Sequence, residues 1–486
     1  MISGASSPGN EKQPIGAEYL CSHMRIVILG GGPCGLGAAW RLAEMGHEDW
    51  LLCEKENYWG GLSASFQDSE GFWWDLGGHV LFSHYAYFDG VMDTLLGEKE
   101  GWVFHEREAW IWMQERFIPY PLQNNIHHLP REVYWECLEG IIDIQKSHRE
   151  KHPAHFGEWI DATFGKGLAK WFLRPYNYKV WAYPPEQMDW SWVGERVAPV
   201  ALKRILKNAT FQKDDISWGP NALFRFPLHG ATGDIWRNLA QRLPQDRVRL
   251  NRELTSLSMP DKKLFFSDGS NEEYDILLNT IPLTSLVSNF ETSDSNLKHS
   301  STHVVGLALK GNPRDHLATK CWMYFPEDNC PFYRVTVFSN YSPNNVPDIK
   351  NQWSLMCEVS ESSVKKVDQD RVIEDVIDGA LNTGLISNRT EIDHTWYHFI
   401  RKGYPTPSLN RNDALFPMLT QLEEMGIYSR GRFGAWRYEV GNMDHAFMQG
   451  VEFANRVVAS QEELTLWYPQ IVNKVGASFQ NDVRVK

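Results

Sequence analysis

Gly30, Gly32 and Gly35 stand in a GxGxxG spacing between the apolar, β-branched run Met24–Leu29 and a helical pattern reaching Met45. Glycines there permit a tight turn and let backbone amides approach a pyrophosphate at the start of the helix. Glu54 closes the next short run, Trp50–Cys53, about 20 residues further on, where an acid accepts from an adenosine ribose hydroxyl. Strand, helix and acid in register predict a dinucleotide site. Paired glycines follow in Gly60-Gly61-Leu62-Ser63 and in Trp74-Asp75-Leu76-Gly77-Gly78-His79. They let backbone pass close to a bulky ligand and favour FAD over NAD. Near the C-terminus Gly441-Asn442 precedes a helical pattern over Met443–Val458, with Asn442 as N-cap candidate. The positive end of that helix could meet the flavin N1/C2 carbonyl edge, although an ordinary capped helix accounts for the element as well.

Two arginines stand in settings that could meet phosphate. Arg196 ends Trp192-Val193-Gly194-Glu195-Arg196, and Arg334 ends the stretch from Tyr324, with Tyr341 beyond it. The guanidinium fork matches phosphate oxygens bidentately, and tyrosine hydroxyls add donors at little entropic cost. By spacing alone either arginine also fits a surface ion pair. No Ser-His-Asp or paired-carboxylate constellation accompanies them. The seven cysteines contain no CxxC pair, so they give neither a disulfide framework nor a zinc site, and no metal is expected.

The elements needed to position these residues form an α/β chain: a Rossmann-like FAD-binding domain with a helical insert and an antiparallel sheet lobe. The FAD-binding domain is expected to be discontinuous, over 24–127, 216–300 and 425–465. Residues 128–215 turn helical, with Trp135, Leu138, Ile141, Ile142, Ile160, Phe164, Leu168, Trp171 and Phe172 at three-to-four spacing. Short strands with turn signals fill 247–282, and strands alternating with Pro/Asn/Asp turns make 301–424 a sheet-rich substrate domain. Residues 1–23 and 466–486 read as tails.

With 486 residues and 42% hydrophobic content, the chain can bury a large core. A net charge of −13 argues against a sequence-independent nucleic-acid binder. No run reaches the roughly 18 apolar residues of a membrane span, and the first 23 residues lack a signal-peptide core, so a cytoplasmic location without membrane attachment is expected.

Several motifs occur in one order: Gly77-Gly78-His79-Val80 with Phe82-Ser83-His84-Tyr85, Pro119-Tyr120-Pro121-Leu122-Gln123, Arg174-Pro175-Tyr176-Asn177 through Trp181, Gly194-Glu195-Arg196-Val197, Trp218-Gly219-Pro220-Asn221, Tyr324 through Arg334, Gly403-Tyr404-Pro405, and Arg430-Gly431-Arg432 through Asn442. Together, from about Met24 to about Val472, the chain resembles the eukaryotic UDP-galactopyranose mutases. It departs from the family pattern at Leu122, where an aromatic is usual, at Ala231, where a second glycine is usual, and at Met443, where glutamine commonly stands.

The resemblance implies an isomerase that interconverts UDP-galactopyranose and UDP-galactofuranose through a reduced-flavin N5–sugar adduct. NADPH would be the reductant, and whether the chain forms a homo-oligomer is open. It implies His79, Arg196 and Arg334 at the reacting centre. Gly30, Gly32, Cys34, Gly35, Glu54, Gly61, Leu62, Gly77, Gly78, Val248, Arg432, Asn442 and Met443 would hold FAD. Tyr120, Gln123, Phe172, Asn177 and Trp181 would hold the uridine. Arg196, Asn221, Tyr324, Arg334, Tyr341, Tyr404, Tyr438 and Asn442 would surround the diphosphate and sugar. Two rivals remain at this level: an amine-oxidase-like FAD oxidoreductase, and a flavoprotein that binds a UDP-sugar without turning it over.

Overall fold

Four-residue apolar strands, buried on both faces, need cover from two sides, and that requirement organises the cofactor domain. A computed structural model describes residues 24–146, 152–194, 196–198, 200–216, 222–288 and 297–474. Ile26–Leu29 is the central strand of a five-stranded parallel sheet, ordered Ile427–Ser429, Ile276–Asn279, Ile26–Leu29, Trp50–Cys53, Val248–Arg249. One face is covered by the helices Pro33–Glu44, Ala86–Leu96, Gly233–Arg242 and Met443–Ala459 through Leu36, Leu42, Phe88, Trp236 and Phe447. The other face is covered by the strands within 254–273 and the helix Arg411–Glu424, through Leu264, Phe266, Leu415, Leu419 and Leu422.

The helices Pro33–Glu44 and Met443–Ala459 touch backbone to backbone. A Cβ on Gly450 would lie 2.0 Å from the Cys34 carbonyl oxygen, and one on Gly37 would lie 2.5 Å from that of Phe447. This close crossing packs both helices on the same face of the parallel sheet.

A seven-stranded sheet forms the second lobe, ordered Ile392–Pro405, His299–Lys310, Gln352–Glu361, Arg334–Val337, Trp322–Tyr324, Ala109–Met113, Arg116–Pro119. All its pairings are antiparallel except Trp322–Tyr324 with Ala109–Met113. The last two strands lie within 24–127, the segment expected to belong to the cofactor domain. Apolar alternation marks them as strands but carries no record of the partner, and Tyr324 pairs with Ile111 from a distant part of the chain. The helix Arg411–Glu424, expected in the sheet lobe, packs its apolar residues against the cofactor domain.

The helices Arg131–Lys146, Phe156–Leu168 and Arg174–Trp181 form a helical unit that buries Leu138, Ile141, Ile160 and Phe164 at the expected helical spacing, with Trp181 in the same core. Trp135 lies in the same pattern but is 56% exposed. A π-turn at Ala169–Leu173 joins the second and third helices and carries Phe172. Residues 466–474, expected in a tail, are packed: Leu466 is buried, and Val472, in the short helix Pro469–Val472, reaches the core of the cofactor domain.

Candidate active site

Glycine at two facing turns forms the first part of the site. Gly30 (φ 104°) and Gly35 close the first turn, and a Cβ on Gly35 would lie 2.0 Å from the Gly30 oxygen. Gly60 (φ 108°) donates its amide to the Gly31 oxygen at 2.9 Å, and a Cβ on Gly61 would sit 3.3 Å from the Gly32 Cα. Gly32 itself faces space, since a Cβ there would find no protein atom closer than 4.0 Å. Leu62 continues the second turn into the apolar core. Glu54 is buried and accepts from the amides of Gly31 at 2.6 Å and Glu56 at 2.8 Å. Burial pushes its carboxyl up while both amides pull it down, and it stays above the usual range. Cys34 is a buried thiol, raised by burial, and Val248 packs in the core on the edge strand opposite Leu52.

Asn442 occupies the N-cap position of the helix starting at Met443, but its side chain makes no cap hydrogen bond. Gly32, at the start of the other helix, offers none either. Both starts therefore keep donors for a ligand. Arg432 donates to the carbonyls of Gly441 at 3.0 Å and Gly403 at 3.2 Å, with its guanidinium 4.8 Å from the Tyr404 ring centre.

A second group hangs from the seven-stranded sheet. Tyr324, Arg334 and Glu358 are register neighbours on successive strands. Buried Glu358 accepts from Arg334, from the Tyr333 hydroxyl at 2.7 Å and from the Gly78 amide at 3.1 Å. Burial raises the Glu358 carboxyl, but Arg334, Tyr333 and Gly78 more than offset it and leave it below the usual range. This ion pair floors the loop Gly77-Gly78-His79. His79 Nδ1 is buried, has no hydrogen-bond partner among the described residues, and lies 3.9 Å from Asp75 Oδ2. Burial, with Arg334 nearby, lowers its imidazole to about 4, so His79 is neutral at pH 7.

Aromatic rings wall the space. Trp181 meets Tyr438 at 4.7 Å and Tyr404 at 5.8 Å between ring centres, and Tyr324 meets Tyr120 at 5.5 Å. Phe172 stacks on Tyr176 at 5.3 Å, which in turn touches Tyr324. Tyr341 is buried with its hydroxyl unpartnered among the described residues. Gln123 donates to the Ala198 oxygen at 2.7 Å, and Asn177 donates to its own helix at Leu173. Arg196 donates to the carbonyls of Trp192 and Glu439 and to Asn473, and lies over the Tyr438 ring. Among the described residues, neither Arg196 nor Arg432 pairs with a carboxylate. Two guanidinium groups without a paired carboxylate among the described residues thus lie around Tyr438 in a chain of net charge −13. Asn221 and Trp218-Gly219-Pro220 lie outside the described residues.

An NAD(P)-binding Rossmann-like domain matches residues 28–95. The 15-cis-phytoene desaturase of Glycine max is 35% identical over 83 residues, and the match spans 17% of this chain and 14% of that protein. A crystal structure of reduced UDP-galactopyranose mutase superposes with a TM-score of 0.90 at 47% identity, covering 93% of this chain and 97% of that one. The chain belongs to the UDP-galactopyranose mutase family. A putative protoporphyrinogen oxidase from Exiguobacterium shares the fold alone, with a TM-score of 0.69 at 17% identity.

As a UDP-galactopyranose mutase, the chain is an isomerase with a flavoprotein fold. Its residues fit FAD: the open face of Gly32, the two helix starts without side-chain caps and the buried Glu54 lie in one domain. Two residues that line the candidate site escape a reading by motif. Glu358 is a lone acid in the apolar strand Leu355-Met356-Cys357-Glu358-Val359, and a buried charge demands a partner, which was the available signal. Tyr176 lay inside a recognised motif, but only packing shows that it bridges Phe172 and Tyr324.

Proposed function

We propose that this chain interconverts UDP-galactopyranose and UDP-galactofuranose on bound, reduced FAD, with NADPH as the reductant, in the cytoplasm. The observation that carries the reading is the pair Arg196 and Arg432, without carboxylate partners among the described residues and set among Tyr404 and Tyr438. A site that holds such guanidinium groups among tyrosine rings is built for an anion such as a nucleoside diphosphate. It would repel the cation of an amine oxidase substrate. The unpaired cysteines and net charge of −13 support a reducing compartment and a small-molecule partner rather than nucleic acid.

Reduced flavin, when bound, supplies a nucleophilic nitrogen to the anomeric carbon. The protein's part is orientation and charge. Trp181, Tyr120 and Phe172 would grip the uridine by ring contact, with Gln123 and Asn177 supplying amides. Arg196 and Arg334 would take up negative charge as the bond between the sugar and UDP breaks, which stabilises the transition state without a strong base. A neutral His79 adds no charge to that balance.

Dithionite-reduced, FAD-loaded protein incubated with UDP-galactofuranose tests the proposal. The pyranose form should accumulate, and oxidised protein should give none under anaerobic conditions. No conversion by reduced protein that binds UDP would leave a UDP-sugar-binding flavoprotein as the correct reading.

A further inference from the structure

On the helical unit, His127 and His128 are consecutive in the short helical turn Ile126–His128. Their Nε2 atoms lie 3.6 Å and 2.6 Å from Asp214 Oδ1, and the candidate ligand atoms of all three residues lie within 4.8 Å of one another. We propose that His127, His128 and Asp214 bind one divalent transition-metal ion of the zinc type.

The second observation is His127 itself. Its side chain is 4% exposed, yet neither ring nitrogen has a hydrogen-bond partner among the described residues. Leaving such a group unsatisfied is costly, and a metal ion bound by Nε2 removes that cost at this nitrogen.

Both sides of the site are held in advance. Buried Asn125 donates to the carbonyl oxygens of Pro119, Pro121 and Asp215 and accepts the Asp215 amide at 2.9 Å, so one side chain braces the histidine turn and the Asp214 segment. The flanking Ile126 and Leu129 are anchored in the core. Asp215 is engaged by Arg204 at 2.6 Å, which leaves Asp214 to the histidines. Bond lengths of about 2.0–2.2 Å put tetrahedral ligand atoms about 3.3 Å apart, a small adjustment from the distances seen. Asp214 is 47% exposed, so water can complete the shell. Two imidazoles with one carboxylate favour zinc, cobalt or nickel over magnesium or calcium.

Calorimetric titration of metal-stripped, FAD-loaded full-length protein with Zn²⁺ tests this. One saturable equivalent is expected, unaffected by excess Mg²⁺ and weakened about tenfold or more in His127→Gln, His128→Asn and Asp214→Asn, with flavin content unchanged. If His127→Gln fails to fold, the two variants at the more exposed positions carry the test. Absence of saturable Zn²⁺ binding in the wild type, or binding unchanged in His128→Asn and Asp214→Asn, overturns the proposal.

Discussion

Arg334 and Glu358 face each other on adjacent antiparallel strands and form a bidentate ion pair, Nε to Oε1 at 2.7 Å and Nη2 to Oε2 at 2.9 Å. Glu358 is buried and also holds the Gly78 amide, so the pair supports the loop that carries His79 and presents the arginine to the site.

Removing one partner strands the other. Arg334→Ala should therefore cost about 3–5 kcal/mol of stability, the scale for an uncompensated buried charge. It should also lower kcat by about a hundredfold or more, the scale for a lost preorganised charge stabiliser. The double variant Arg334→Ala/Glu358→Gln separates the two roles, since it should regain much of the stability and none of the turnover. Melting and kcat measured on one preparation decide it: recovery of both would make the pair purely structural.

His79 should titrate near pH 4, well below the ordinary 6.5 of histidine, because its ring is desolvated beside Arg334. The folded state resists protonation while the unfolded chain accepts it, so stability is present above pH 6.5 and falls as pH drops toward about 4. The slope approaches about 1.4 kcal/mol per pH unit within that window. Ring-labelled NMR checks the assignment by comparison with His79→Gln. A His79 midpoint above pH 6 would contradict the described environment.

Gly32 and Gly35 should respond differently to added side chains although they share one motif. A Cβ at Gly35 meets the Gly30 oxygen at 2.0 Å, whereas one at Gly32 meets nothing within 4.0 Å. Gly35→Ala should therefore impair folding. Gly32→Val should give a folded, colourless protein that does not take up FAD. Circular dichroism and the flavin spectrum distinguish these outcomes, and a yellow Gly32→Val protein would move the cofactor away from that turn.

Ala231 adopts φ 53°, in the left-handed region, directly after Gly230 at φ 67°. The turn matters because Thr232 donates to Asp75 at 2.6 Å and Gly233 to Ser65 at 2.6 Å, behind the His79 loop. Left-handed alanine costs about 1–2 kcal/mol, and glycine's freedom in the unfolded chain returns about 0.5–1 kcal/mol of the gain. Ala231→Gly should thus raise the melting temperature by about one or two degrees. A lower melting temperature would show that the alanine methyl is worth more in its buried setting than the strain it carries.

The sequence alone determined the elements whose causes are local. Gly30, Gly32, Gly35 and Glu54 declare a strand–turn–helix–strand unit because the turn's sterics and the strand's apolar run are properties of neighbouring residues. The helical spacing of Leu138, Ile141, Ile160 and Phe164 is legible for the same reason. Tertiary structure decided what depends on partners distant in the chain. Ala109–Met113 and Arg116–Pro119 look like strands of any sheet, and only pairing with Trp322–Tyr324 assigns them to the sheet lobe. Asn442 has the N-cap position but not the N-cap bond, a difference that residue type and position do not encode. Arg196 and Arg334 are indistinguishable by residue type. Glu358 on the neighbouring strand neutralises one, and main-chain carbonyls surround the other, because charge pairing is a matter of distance in space and sequence spacing holds no record of it.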